Sequence, residues 1–257
     1  MFSAVNRIAL KSILHKEVHR FMRIWVQTLV PPAITISLYF VIFGSLIGSR
    51  IGQMGGFDYM SFIVPGLIMM SVITNSYSNV ASSFFSAKWQ RNVEEMLVAP
   101  VPNWVIVAGY VGGGMTRGIL VGCIVTLISL LFVDIQIHNI GVIFLTVALT
   151  SAVFSLGGLI NAIFAGSFDD ISIIPTFILT PLTYLGGVFY SISLLPDFWQ
   201  GVSQVNPIVY MVNAFRYGFL GISDVSLTVA FSVLGVFIVA LWTIAMRLIS
   251  TGTGLRS

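Results

Sequence analysis

Charged side chains are scarce in this sequence. Of its 257 residues only 8% are Asp, Glu, Lys or Arg, whereas 57% are hydrophobic and the mean hydropathy is +0.99. A soluble domain of this length needs more polar surface than that, so the class of soluble globular proteins is excluded.

Cysteine is also scarce. Cys123 is the only one, which excludes an intrachain disulfide, and we expect it to be a small buried residue.

The sequence contains long runs of residues without a charged side chain. Residues 24–49 and 59–87 form runs of 26 and 29 residues without a formal charge, and four more such runs follow. A helix rises ~1.5 Å per residue, so about 20 apolar residues cross a hydrocarbon layer of ~30 Å. The sequence therefore predicts an all-α integral membrane protein. Its six predicted transmembrane helices are 26–47, 59–84, 105–133, 140–164, 173–190 and 225–246.

The segment before the first span predicts a helix at the membrane surface. Cationic or histidine side chains recur at every fourth position, at Arg7, Lys11, His15, His19 and Arg23. Apolar side chains take another side, so we expect an amphipathic helix along the inner interface, in contact with membrane lipids. The two histidines lack a third ligand and a metal-binding motif, so no metal site is expected.

A single transmembrane domain is expected to occupy residues 1–257. Its parts are the amphipathic interfacial helix (1–25), spans one to five (26–190), an outer re-entrant segment (191–224), and span six with a cytoplasmic tail (225–257).

Basic residues predict the orientation. With the N-terminus in the cytoplasm, ten of the 12 Lys and Arg residues lie inside and only Arg50 and Arg216 lie outside, as the positive-inside rule requires. A seventh crossing at 198–215 would move Arg247 and Arg256 to the wrong side. We therefore expect both termini to be cytoplasmic.

Catalytic groups are missing as well. All nine carboxylates fall in loops or at span boundaries under this topology, which disfavours a proton-coupled carrier. The three lysines, Lys11, Lys16 and Lys88, each follow a residue other than glycine, so the sequence has no G-K-[ST] phosphate-binding loop. We expect no enzyme activity, no catalytic residue and no bound cofactor.

The basic residues lie beside the apolar runs and do not cluster in a polar domain, so no nucleic-acid partner is expected either.

Two spans carry polar stripes at helical spacing. One contains Asn75, Ser78, Asn79, Ser82 and Ser83, and the other contains Thr176, Thr180, Thr183 and Tyr184. Such stripes serve either helix packing or the lining of a translocation path, and both interpretations stay open.

Arg117, a full charge inside a long apolar stretch, also has two interpretations. It either snorkels or pairs within the protein, or it contacts substrate.

The loop after the second span predicts a short helix that ends before Pro100 and Pro102. Its mixture of charges and outward apolar residues favours a docking surface for a cytoplasmic partner, with a solvated or interfacial linker as the alternative. The residues of this predicted surface are Lys88, Arg91, Glu94, Glu95, Met96 and Leu97.

Another helix is predicted from about Pro207 to Leu220, with Asn206 as its N-cap and Gly221 as its stop. It is apolar enough to enter the outer leaflet without crossing, which leaves Arg216 near the interface or paired within the protein. This region is interpreted as a structural lid or as an outer gate that shapes the exit. The gate residues would be Asn206, Pro207, Tyr210 and Arg216.

Several short motifs follow one another along the chain. They are EEMLVAPV at 94–101, PL at 181–182, GGVFY at 186–190, LP at 195–196 and NPIVY at 206–210, with Arg216 beyond. Their order and spacing across the six predicted spans resemble the permease subunits of ABC-2 type exporters, over nearly the whole chain.

This resemblance implies a mechanism and partners. Two permease copies would pair, as a homodimer, in a bacterial inner membrane and dock two copies of a separate ATPase, which holds ATP and Mg²⁺. The loop after span two would be the coupling helix that touches the ATPase, and the polar faces of spans two and five would line the path. The alternative is a secondary carrier or membrane scaffold without an ATPase partner.

Overall fold

The computed structural model describes residues 4–255, apart from the side chains of residues 45–47 and 49. The expected all-α fold is confirmed in this range. Its helices are α1 (Ala4–Arg23), α2 (Trp25–Tyr39), α3 (Ser49–Ile51), α4 (Tyr59–Trp89), α5 (Asn92–Val98), α6 (Asn103–Ser129), α7 (Ile140–Phe164), α8 (Asp170–Ile174), α9 (Thr180–Tyr184), α10 (Asp197–Val205), α11 (Pro207–Leu220) and α12 (Leu227–Thr251). One antiparallel hairpin, β1 (Gln53–Met54) with β2 (Phe57–Asp58), joins α3 to α4. Arg256, used above to argue orientation, lies outside the described residues.

Five described helical segments are long and apolar enough to cross a membrane. They are Trp25–Gly44, which continues α2 into wider π-helical turns, and then α4, α6, α7 and α12. Each overlaps one of the predicted spans. The caps also follow the sequence, since the side chains of Asp58, Asn139 and Ser226 accept hydrogen bonds from first-turn amides of α4, α7 and α12.

The predicted span at 173–190 is not one continuous helix. It consists of α8, a π-helical turn at Pro175–Leu179, and α9, and the chain leaves helical geometry after Tyr184. Pro175 and Pro181 each lack the amide hydrogen that a regular helix requires, which explains the irregular geometry. These residues still connect the two ends of the bundle. Six crossings therefore remain a prediction.

The bundle is built around α4. Within its apolar window 83% of α4 is buried, against 17% for α12, so α4 is central and α12 peripheral. α4 packs against α6, α7 and α11. Where α4 ends and α6 begins, α5 joins them, and we call this end of the bundle the α5 end. The opposite end carries the hairpin, α10 and α11.

Glycines let α1 approach α6 closely. A Cβ atom on Gly109 would meet Ile13, and one on Gly113 would meet the Cβ of Glu17. The face of α1 that packs on the bundle therefore contains Glu17 and Phe21, both fully buried. The apolar pattern of α1 did not predict that Glu17 is buried. The reason is that the glycines which allow the close approach lie on α6 and not on α1.

Cys123 corrects another expectation. It lies on α6 with its side chain exposed at the surface of the chain, so the prediction of a buried core residue is wrong. In a membrane-spanning helix an apolar surface faces lipid as readily as it faces a core, so residue type alone does not separate the two.

Candidate partner-docking and translocation sites

The predicted docking helix exists but is shorter than expected. α5 begins at Asn92, because α4 continues to Trp89 and Arg91 adopts a left-handed conformation (φ 62°) that turns the chain. Val93 is buried, and the hydroxyl of Tyr110 lies 3.9 Å from the sulfur of Met96. One side of α5 is thus anchored on α6.

The opposite side of α5 is open. Glu94 and Glu95 are exposed, Met96 and Leu97 are half-buried, and Val98 is 85% exposed. Val98 adds an apolar side chain next to the two carboxylates of this side. Val98 was not among the predicted docking residues, although it lies in the motif that carried the resemblance.

Lys88 is half-buried beside this open surface and makes contacts within the bundle. Its Nζ donates to the carbonyl oxygens of Ile163 at 2.6 Å and Ala165 at 2.8 Å, both at the C-terminal end of α7. A cation at this position satisfies carbonyls that have no partner within the helix. Lys88 therefore ties α4 to α7, a role that its position in the sequence could not reveal.

Aromatic residues extend the open surface beyond α5. Trp89 is 65% exposed and Phe168, in the loop after α7, is 52% exposed, and both rings pack near Phe85. Between this cluster and Glu94 lies a cavity of about 390 Å³, which Gly254 and Leu255 near the end of the chain also line. The docking candidate is therefore a composite surface.

Asp170 orders the loop that carries Phe168. Its carboxylate accepts hydrogen bonds from the backbone amides of Gly166 at 2.8 Å and Ser167 at 3.0 Å, and the hydroxyl of Ser167 lies close. These bonds, led by the one from Gly166, hold the pKa of Asp170 below its ordinary value because they stabilise the charged form. The loop is therefore held by a charged carboxylate at neutral pH.

The polar stripe of α4 divides into two groups. Asn75 and Asn79 are buried against cations, since Arg117 donates to Oδ1 of Asn75 at 3.0 Å and Arg20 donates to Oδ1 of Asn79 at 2.8 Å. The hydroxyl of Ser83 donates to Glu17 at 2.7 Å. These contacts bind α4 to α1 and α6, so this part of the stripe serves packing within the chain.

Ser78 and Ser82 form the second group and are half-buried. Ser82 donates to the carbonyl of Ser78 at 2.7 Å, and Ser78 lines a cavity between α2 and α4. Tyr39 lines the same cavity, and the rings of Tyr39 and Tyr184 each lie 5.9 Å from the ring of Phe189. Ser78 of the first stripe and Tyr184 of the second therefore both lie in the neighbourhood of Tyr39 on α2.

The stripe after Pro175 divides in the same way. Thr176, Thr180 and Tyr184 are exposed, whereas Thr183 is buried and donates to the carbonyl of Leu179 at 2.6 Å. Because the exposed members are spaced by four residues, they share one uncovered face. That face also exposes the ring of Phe177.

At the opposite end, α11 spans the residues predicted for it. Asn206 caps the helix by accepting from the amide of Ile208 at 3.0 Å and donates to the carbonyl of Leu182 at 2.6 Å. Pro207 occupies the first turn, and the hydroxyl of Tyr210 donates to the carbonyl of Gln204 at 2.7 Å. α11 is mostly buried between α4, α7 and α12.

Arg216 is paired within the protein. Its side chain is 1% exposed, its guanidinium lies 3.9 Å from the ring centroid of Phe62, and Nη2 donates to the carbonyl of Gly187 at 2.5 Å. It lines a cavity of about 240 Å³ together with Asp224. Arg216 therefore holds α11 against α4 and the GGVFY segment. The sequence pattern did not predict that Phe62 and Asp224 lie beside Arg216.

Comparisons with known proteins agree with this architecture. Residues 8–220 match the family model described as ABC-2 type transporter. The chain is 69% identical to the inner membrane transport permease YadH of Escherichia coli (strain K12) over 250 residues, covering 97% of this chain and 98% of that protein. It is 22% identical to nodulation protein J of Neorhizobium galegae, covering 82% and 81% of the two chains.

The family match covers most of the chain, and the YadH similarity extends over nearly all of it. Both agree with the membrane-spanning helices and with the short helix between α4 and α6. The chain belongs to the ABC-2 type transporter family and is a multi-pass membrane protein of the permease type.

Proposed function

We propose that this chain is the membrane subunit of an ATP-driven exporter and that it works as a dimer with two copies of a separate ATPase subunit. The observation that carries the proposal is α5, which is anchored by Val93 and presents Glu94, Glu95 and Val98 outward. The chain belongs to the ABC-2 type transporter family and its sequence has no phosphate-binding loop, so the proposal assigns ATP hydrolysis to a separate chain that docks here.

The composite surface has the chemistry of a docking site. Exposed carboxylates would steer a basic partner, while Trp89, Val98 and Phe168 would supply apolar contacts at its centre. The α5 end would then face the cytoplasm, as the distribution of Lys and Arg predicts. The similarity to the inner membrane transport permease YadH supports an inner-membrane location.

The uncovered face of Thr176, Thr180 and Tyr184 favours a second permease copy. The hydroxyl of Thr180 donates to the carbonyl of Pro175 at 2.9 Å, and the exposed side chains of Phe177 and Ile178 lie beside these polar groups. A dimer interface or a shared translocation path would cover this mixed surface. Asn206, Tyr210 and Arg216 support the opposite end of that path structurally, through the hydrogen bonds of α11.

The double substitution Glu94→Lys, Glu95→Lys tests the docking surface. Co-purification of the ATPase from native membranes should fall about tenfold, the change that roughly 1.4 kcal/mol of lost interface energy produces. Membrane insertion should be unaffected, because both side chains are exposed. Quantitative mass spectrometry of the purified complex is the measurement.

Asp197→Lys is the matched control, since Asp197 is exposed and lies at the opposite end of the bundle. It should leave ATPase recovery unchanged. Full recovery with the double variant would contradict the assignment of α5. The complete absence of an ATPase from wild-type preparations would instead favour a secondary carrier or scaffold.

A further inference from the structure

Polar and apolar groups together line the cavity between α2 and α4, which lies among membrane-spanning helices. Its volume is about 330 Å³, within the range of small-ligand sites, and Arg117 of α6 lines it. Its polar lining includes Gln27, Thr35, Ser71, Thr74, Asn75 and Ser78. The hydroxyls of Ser71 and Thr74 and the amide of Asn75 already donate to backbone carbonyls of α4, so Arg117 is the group whose bonding has to be explained.

Positive charge is in excess around this cavity. Arg20 and Arg117 bond to Asn79 and Asn75, which are one helical turn apart on α4, so the two guanidinium groups are close neighbours. Glu17 is the carboxylate of this cluster, and it lies 3.4 Å from Arg20. Among the described residues, no carboxylate lies within salt-bridge distance of Arg117. The cluster therefore holds one uncompensated cation.

The guanidinium of Arg117 is also incompletely bonded. In the described part of the chain only Nη2 has partners, Asn75 and the carbonyl oxygen of Thr28 at 3.4 Å, and the buried Nε has none. The carbonyl of Thr28 is available because Pro32, four residues later, has no amide hydrogen to donate to it. The two prolines of α2 thus help to keep Arg117 at the edge of the cavity.

A charge that is costly within a membrane and lacks a counter-ion indicates a ligand of opposite sign. We propose that this cavity binds the phosphate group of an anionic amphiphile, with Arg117 as its cationic ligand and the hydroxyls of Thr35 and Ser78 as donors. Arginine suits this role because its planar donors match phosphate oxygens. Lipid has access because only 22% of the first span is buried.

Binding requires neither an ATPase nor transport, so the inference stands apart from the proposed function. The same phosphate chemistry is found in a lipid headgroup and in free phosphate. A lipid would additionally place its acyl chains along the apolar outer face of α2, where Ile34 and Leu38 are exposed.

Native mass spectrometry of the purified chain tests the site with defined lipids. We expect wild-type protein taken from nanodiscs of phosphatidylglycerol and phosphatidylcholine to retain phosphatidylglycerol selectively. Arg117→Gln should abolish this selectivity, and Arg117→Lys should keep part of it because the charge remains. Arg247→Gln, which removes an exposed cation from α12, is the control and should retain it fully.

Thr74→Phe provides a test that leaves every charge in place. Thr74 is exposed, so a larger side chain should narrow the cavity without unfolding the helix, and selective retention should still fall. If Arg117→Gln elutes as misfolded protein, lipid retention by Thr74→Phe tests the proposed site in its place. Unchanged retention in Thr74→Phe and in folded Arg117→Gln would overturn the proposal.

Inorganic phosphate distinguishes the two sources of the anion. Loss of bound phosphatidylglycerol on addition of millimolar phosphate would show that the phosphate group alone is recognised. Retention of the lipid under these conditions would assign the site to a membrane-embedded headgroup. Both results require the selectivity to depend on Arg117.

Discussion

Single side chains hold the long helices together by contacts that cross the bundle. Lys88 is the clearest case, because one ammonium group serves two carbonyl oxygens at the end of α7. Arg216 acts similarly at the opposite end, between Phe62 and Gly187. Both cations contact carbonyl oxygens or an aromatic ring, although Nε and Nη1 of Arg216 have no hydrogen-bond partner.

Lys88→Met should therefore destabilise the protein while preserving its volume. Charged hydrogen bonds contribute about 1.5–3 kcal/mol, so the apparent Tm in detergent should fall by roughly 2–4 °C or more. Lys11→Met, which removes an exposed cation from α1, should leave Tm unchanged. Thermal scanning fluorimetry compares the two variants. Equal Tm values for both would mean that Lys88 is not needed to join α4 to α7.

Helix pairs depend on small residues where side chains would prevent contact. α1 reaches α6 over Gly109 and Gly113, and α6 reaches α4 and α7 over Gly114 and Gly118. Within lipid there is little hydrophobic driving force between helices, so close backbone contact contributes much of the stability. The glycines of α6 therefore form its packing surface.

Gly113→Ala should separate α1 from α6, because the new methyl group would meet Cβ of Glu17. Overpacking of this kind costs about 1–3 kcal/mol, so the apparent Tm should decrease. Gly235→Ala is the matched control on α12, where an added Cβ has open space, and it should be neutral or slightly stabilising. Indistinguishable melting curves would contradict this account of α1 docking.

At the scale of the whole molecule, the path of residues 165–190 decides which side of the membrane α10 and α11 occupy. Ala165 is held at the α5 end by Lys88, whereas Val188 packs on Gly66 near the start of α4. If this segment crosses, Val98 and Val205 lie on opposite sides, since three crossings separate them. If it does not, they lie on the same side.

Cysteine labelling measures this directly. In a Cys123→Ser background, we expect Val98→Cys to react with an impermeant maleimide only in inverted vesicles and Val205→Cys only in right-side-out vesicles. Both valines are highly exposed, at 85% and 84%, so either cysteine should be accessible. The Cys123→Ser chain alone should not be labelled. Labelling of both positions from one side would exclude the sixth crossing.

Much of the fold follows from local sequence. Uncharged runs set the spans, and the caps Asn206 and Gly221 set the bounds of α11, because both effects act over a few neighbouring residues. The same local logic predicted a short helix before Pro100, and its start was misplaced only because Lys88 and Trp89 extend α4. The family resemblance also needed only short ordered motifs.

The sequence by itself thus determined that this is an all-α membrane protein of the ABC-2 transporter family, with helices in these places. Only the tertiary structure decided what the polar residues do. Lys88 bonds to α7 and Asn75 bonds to Arg117 through contacts between residues far apart in the chain. Residue type and spacing describe one helix, whereas a bond across the bundle depends on how several helices pack.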